Sequence, residues 1–286
     1  MDWLTEPFSY AFMQRALIGS VLAVITTSVV GTWVILRGLA FMGDALAHGI
    51  LPGIAVAVLL GFDPIIGAAA AAVLMIGMIT MVHRTTRLSE DTAIGLLFVG
   101  MLALGVIIIS RSSSFAVDLV GILFGDVLGT TTGDLVVQGV AAALTLAGVT
   151  LFYRPLVALA FNEQKAEALG LRPRLAHLVM MGLITVAVVS SYRSVGALLV
   201  FGLLIAPPAT AVLMARRLPA TLLTAVALGV AEVVAGLLIS FHLDTATGAT
   251  MSGLAVGVFF LTLAARTLRG RLREGVEEPV APDTAA

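Results

Sequence analysis

Long apolar runs, one after another, constrain this chain more than any other feature. A hydrocarbon core of about 30 Å takes roughly 20 apolar residues per helix. Nine segments qualify or nearly do: 16–36, 45–60, 64–82, 92–110, 134–152, 175–192, 195–215, 220–241 and 250–265. The second is short. None shows the apolar–polar alternation of a barrel strand, so the spanning elements are expected to be helices, each closing its own backbone hydrogen bonds. Composition agrees. Hydrophobic residues make up 59% of the 286 positions and charged residues 12%, against about 25% charged in a soluble domain. Too little polar surface remains to wet a globule, so a soluble enzyme domain is excluded. With no cysteine, thiolate metal sites and disulfides are excluded as well.

The basic residues orient the bundle. If the loop 154–174 is cytoplasmic, Arg37, Arg84, Arg87, Arg154, Lys165, Arg172, Arg174, Arg216, Arg217, Arg266, Arg269, Arg271 and Arg273 fall inside. Only Arg15, Arg111 and Arg193 then fall outside. This bias places the C-terminus in the cytoplasm and, with nine spans, the N-terminus outside. The first residues lack a basic stretch before a short apolar core, so no cleavable signal peptide is expected. The stretch 112–133 contains "DLVGILFGDVLG", too short to cross and too apolar for a simple loop. It reads as a re-entrant or interfacial helix.

Three constellations carry chemistry. In "GDALAHGILPG", Asp44 and His48 are four apart and share one helix face. A carboxylate and an imidazole so placed can take two positions around a divalent transition metal. Pro52 leaves the His48 carbonyl without its helical N–H. The alternative is that Asp44 caps the helix and His48 bonds within an interface. In "FNEQKAEALGLRPR", Asn162 can cap a short helix over 163–169 that Gly170 ends, with Pro173 blocking continuation. Glu163 and Ala166 lie on it. It is a docking element in shape, or an ordinary solvated loop. In "GALLVFGLLIAPPATAVLMARR", Pro207 and Pro208 sit deep in a span and free the carbonyls of Leu203 and Leu204. The result is a gate or a static packing kink. Asp118, Asp126, His242 and Asp244 lie towards the outer side, and Glu232 is a mid-span acid that must face protein or water.

No GxxxxGK[ST] occurs, so no P-loop ATP site exists in the chain. If ATP drives transport, another chain binds it.

Together these segments resemble the permease subunits of the zinc, manganese and iron ABC importers, the ABC-3 metal permease family. "VVGTWVILRGLAFMGDALAHGILPGIA" is similar to its first two spans, with Asp44 and His48 at its Asp and His positions. "DLVGILFGDVLG" resembles the apolar segment before its middle span, and "FNEQKAEALGL" its coupling helix. "GALLVFGLLIAPPATA" resembles its late Pro-containing helix, and "HLDTATGAT" its final loop. Ala246 and Thr247 stand where the family usually has Pro and Ser, and Asp126 where it usually has Asn.

The resemblance implies an all-α polytopic membrane protein of about eight or nine transmembrane helices with the ABC importer permease fold. It implies a permease domain over 1–268, with a coupling loop at about 161–174, and a cytoplasmic tail over 269–286, read as disordered. It implies Asp44 and His48 as ion ligands, coupling through Asn162, Glu163, Ala166 and Gly170, and a possible gate at Pro207 and Pro208. The transported ion, zinc, manganese or iron, is cargo, and no cofactor is held permanently. The expected partners are a second copy, two ATPase subunits that bind ATP, an extracytoplasmic solute-binding protein and membrane lipid, with no nucleic acid. The expected location is the inner or plasma membrane of a prokaryote. The rivals are an ABC permease for a chelate such as a siderophore or cobalamin, an ATP-independent secondary transporter or channel, and a membrane scaffold.

Overall fold

A computed structural model describes residues 6–110, 125–161 and 172–274. After a short 3-10 turn at Pro7–Ser9, every element among the described residues is an α-helix. In chain order they are α1 (Ala11–Leu36), α2 (Ala40–Gly49), α3 (Leu51–Leu59), α4 (Pro64–Thr85), α5 (Glu90–Ser110) and α6 (Thr132–Leu151). Then come α7 (Tyr153–Phe161), α8 (Pro173–Val195), α9 (Ala197–Met214), α10 (Leu218–Leu243) and α11 (Thr247–Glu274). Among the described residues eight helical segments are long and apolar enough to cross a membrane, with α2 and α3 counted together, and Leu199–Met214 within α9 is a shorter ninth. All nine expected spans are therefore helices.

Prolines punctuate the bundle. Pro52, Pro64, Pro173 and Pro219 each lie in the first turn of a helix, where a missing N–H leaves nothing unsatisfied. Asp63 caps α4 by accepting the Ile65 N–H at 2.8 Å. Thr131 and Asp134 form a capping box on α6. Inside the spans the Thr26, Thr27 and Thr32 hydroxyls donate to carbonyls one turn back, at 2.9, 2.7 and 2.9 Å. That spares them an unpaired donor in an apolar interior.

The core lies on α1, which packs against α6, α8, α9 and α10. Its apolar window is 72% buried, against 28% for α4, α5 and α6 and 17% for α11. The outer helices thus show lipid or another subunit a broad apolar face. Polar ties close both ends. At one, Arg37 donates to the Leu159 carbonyl at 2.9 Å and His177 Nε2 lies 3.6 Å from a Glu90 carboxylate oxygen. At the other, Arg15 donates to the Thr130 carbonyl at 3.2 Å. The first set lies at the end that the basic residues assign to the cytoplasm, and the second at the end they assign to the outside.

Three expectations change. The loop 154–174 is not all loop: Tyr153–Phe161 forms α7, with Leu156 and Leu159 buried on one face. The stretch from 269, read as disordered, begins as helix, because α11 runs on to Glu274. Its Arg-rich last turns remain helical because Arg is a good helix former and suits a helix C-terminus. The span 45–60 is two helices broken at Ile50. The expected re-entrant segment falls mostly on 111–124, outside the described residues. Its described end, 125–131, is a turn in which Asp126 accepts the Gly129 N–H at 2.9 Å.

Candidate functional site

Asp44 and His48 lie inside α2, whose N-cap is Leu39. Asp44 therefore does not cap a helix, and that reading is corrected. Gly43 and Gly49 let two faces of α2 close in. A Cβ at Gly43 would overlap the Leu204 side chain on α9, and one at Gly49 would overlap Met75 on α4. Almost everything on α2 is consequently buried. Beyond Ala40 at its start, what stays accessible is a stripe of Phe41, Asp44 and His48, at 38% exposure for the first and 25% for each of the other two side chains. These residues are three and four apart, so the stripe runs straight along the helix.

The stripe is organised. His48 Nδ1 lies 3.1 Å from the Asp44 carbonyl and 3.4 Å from Asp44 Oδ1. A carbonyl oxygen can only accept, so the bond requires a proton on Nδ1. In the neutral ring that leaves the Nε2 lone pair free to bind a metal. The ring also meets Phe98 of α5 edge to face, with centroids 5.7 Å apart, and Phe98 meets Phe41 in the same way at 5.4 Å. Phe98 thus holds the imidazole from a second helix. Phe41 was findable in the sequence, since it shares the helical face of Asp44 and His48. Phe98 was not, because no local pattern ties residue 98 to residue 48.

Pro52 opens α3, while the Ile50 N–H reaches the Leu46 carbonyl at 3.1 Å. The helix breaks one residue after Gly49, so α2 ends beside the imidazole. A groove between α3, α4 and α5, lined by Pro52, Val56, Leu60, Phe62, Ile66 and Met101, has only apolar side chains and offers an ion no side-chain ligand.

The other candidates do not join this pair. Among the described residues no three His, Asp or Glu side chains gather tightly enough to hold a metal. His242 and Asp244 sit at the end of α10, where Asp244 takes a left-handed conformation (φ 48°). The turn there is held by Ser240, which donates to the Thr245 carbonyl at 2.6 Å. Pro207 and Pro208 are buried within α9, packed towards Gly229 of α10 and Gly31 of α1. Asp118 and the coupling residues Asn162, Glu163, Ala166 and Gly170 lie outside the described residues, between the end of α7 and the start of α8 in the latter case.

Residues 9–266 match the ABC 3 transport family. The chain belongs to that family. As a member it is a membrane-spanning transport subunit, and the family's permease architecture is this fold. It is 37% identical over 272 residues to the "Manganese transport system membrane protein MntC" of Listeria innocua, covering 95% of this chain and 97% of that one. It is 34% identical over 245 residues to the "Chelated iron transport system membrane protein YfeD" of Yersinia pestis, covering 86% and 82%. Among solved structures it is similar to "PsaBC from Streptococcus pneumoniae in complex with Fab", with a TM-score of 0.82 at 33% identity, covering 91% of this chain and 94% of that one.

Proposed function

We propose that this family member is the pore-forming permease of an ABC importer for a divalent transition metal, manganese foremost. The observation that carries the reading is the Phe41–Asp44–His48 stripe. A carboxylate and an imidazole exposed within a span must face protein or water, not hydrocarbon. The relatives similar over almost the whole chain include several named for manganese. A second copy across a twofold axis would double the pair to two carboxylates and two imidazoles, mixed oxygen and nitrogen donors that suit manganese or zinc. A transit site must also release its ion, so affinity is modest. Two ATPase subunits would dock on the segment holding Asn162, Glu163, Ala166 and Gly170, and an extracytoplasmic binding protein would deliver the ion at the other face. The bacterial relatives support a prokaryotic plasma membrane, and the basic residues support a C-terminus on the inside. Flexing of α9 at Pro207 and Pro208 is the proposed gate.

An iron reading has its own support in the relatives named for iron transport, such as the Haemophilus influenzae protein at 32% identity over 270 residues. The test is uptake of radiolabelled manganese, zinc and iron by the assembled transporter with Asp44→Ala or His48→Ala. Both variants are expected to lose at least tenfold of the uptake of the true cargo at unchanged membrane level. Wild-type uptake by both variants would reduce the stripe to packing and favour a chelate as cargo.

A further inference from the structure

Glu232 has no part in that reading. It lies mid-way along α10 and is 3% exposed, and among the described residues neither carboxylate oxygen has a hydrogen-bond partner. Two glycines bracket its place. A Cβ at Gly229 would meet Val24 and Ser28 of α1 and Pro207 of α9, and one at Gly236 would meet Met251 of α11. Glu232 therefore sits in a seam closed by three helices, less than one turn from the contact with the paired prolines.

Among the described residues no opposite charge faces it. The helices packed on α10 are α1, α9 and α11. Between Arg15 and Arg37, α1 carries no ionisable side chain, α9 carries none at all, and α11 carries none before Arg266. On α10 itself the other titratable residue is His242, ten residues further on, or about 15 Å along the axis. A bare carboxylate without a counter-charge in so apolar a seam is strongly unfavourable, whereas a neutral acid is a far cheaper group to bury. A metal ion would need more donors than the seam offers. One hydroxyl that the seam holds, beside Gly229, is that of Ser28, itself buried and without a partner among the described residues. Hard cations take six or more oxygens, but a proton needs one.

We infer that Glu232 is a proton-binding site of the permease, holding one proton per subunit while the α1–α9–α10 seam is closed. Flexing of α9 at Pro207 and Pro208 that parts the seam admits water to the carboxyl, which then releases the proton as a hydrated ion and becomes carboxylate. Closure takes a proton back. The site is separate from the Asp44–His48 stripe and does not depend on which ion is carried.

The test uses the full chain in lipid nanodiscs, wild type and Glu232→Gln, with thermal unfolding midpoints followed from pH 5.5 to 9. The folded state binds a proton that the unfolded state releases over this range, so this site's stability contribution falls as pH rises. The wild-type midpoint is expected to drop relative to Glu232→Gln with increasing pH, and parallel curves would overturn the proposal. A wild-type midpoint raised by added sodium or manganese, with no such rise in Glu232→Gln, would overturn it in favour of a metal site. Infrared spectroscopy of the wild type alone keeps the question decidable should the variant fail to fold. The carbonyl-stretch band of a protonated carboxylic acid is expected at neutral pH, where exposed carboxyls are ionised, and its absence would also overturn the assignment.

Discussion

Gly31 of α1 lies against the backbone carbonyl of Leu204 in α9, so closely that a Cβ on residue 31 would overlap the oxygen. Leu204 is four residues before Pro208, so no helical N–H claims that carbonyl. The missing side chain on one helix and the missing N–H on the other meet at one point. A Cα–H···O contact there fits the close approach that glycine allows between membrane helices. Gly31→Ala must push backbone against backbone, and overpacking of this kind costs about 1–3 kcal/mol. We expect a lowered unfolding midpoint in nanodiscs. Gly253→Ala, where an added Cβ meets nothing within 4 Å, should match the wild type. Equal midpoints for the two variants would show that the seam can relax.

Coupling is tested on the segment between α7 and α8. Gly170→Pro and Glu163→Lys are expected to leave the chain inserted while metal uptake falls at least tenfold and ATP hydrolysis no longer follows transport. Arg37 and His177 anchor the flanking helices to the bundle through Leu159 and Glu90, so changes within the segment should not unfold the domain. Full uptake with normal ATPase stimulation in both variants would move the docking surface elsewhere.

Topology has a direct check. Ala246 is exposed in the turn between α10 and α11, and the chain has no cysteine. A cysteine introduced there should be labelled in intact cells by a reagent that cannot cross the membrane. A reporter fused after Arg273 should be active only in the cytoplasm. Labelling at 246 only after permeabilisation would invert the bundle.

The apolar runs alone determined that this chain crosses a membrane as about nine helices, because hydrocarbon accepts only backbone that satisfies itself within the helix. The spacing of Asp44 and His48 likewise showed one helix face bearing two ligand types, since 3.6-residue periodicity is local. The prolines were less legible. Pro52 and Pro173 could be seen to interrupt helices, but whether each ends one helix or opens the next depends on where the chain turns. Only the tertiary structure decided that Phe98 braces His48, that Gly31 receives the Leu204 carbonyl, and that Glu232 has no partner among the described residues. Each of these joins residues far apart in the chain, and the packing of one helix on another, which no local pattern encodes, brings them together or leaves them apart.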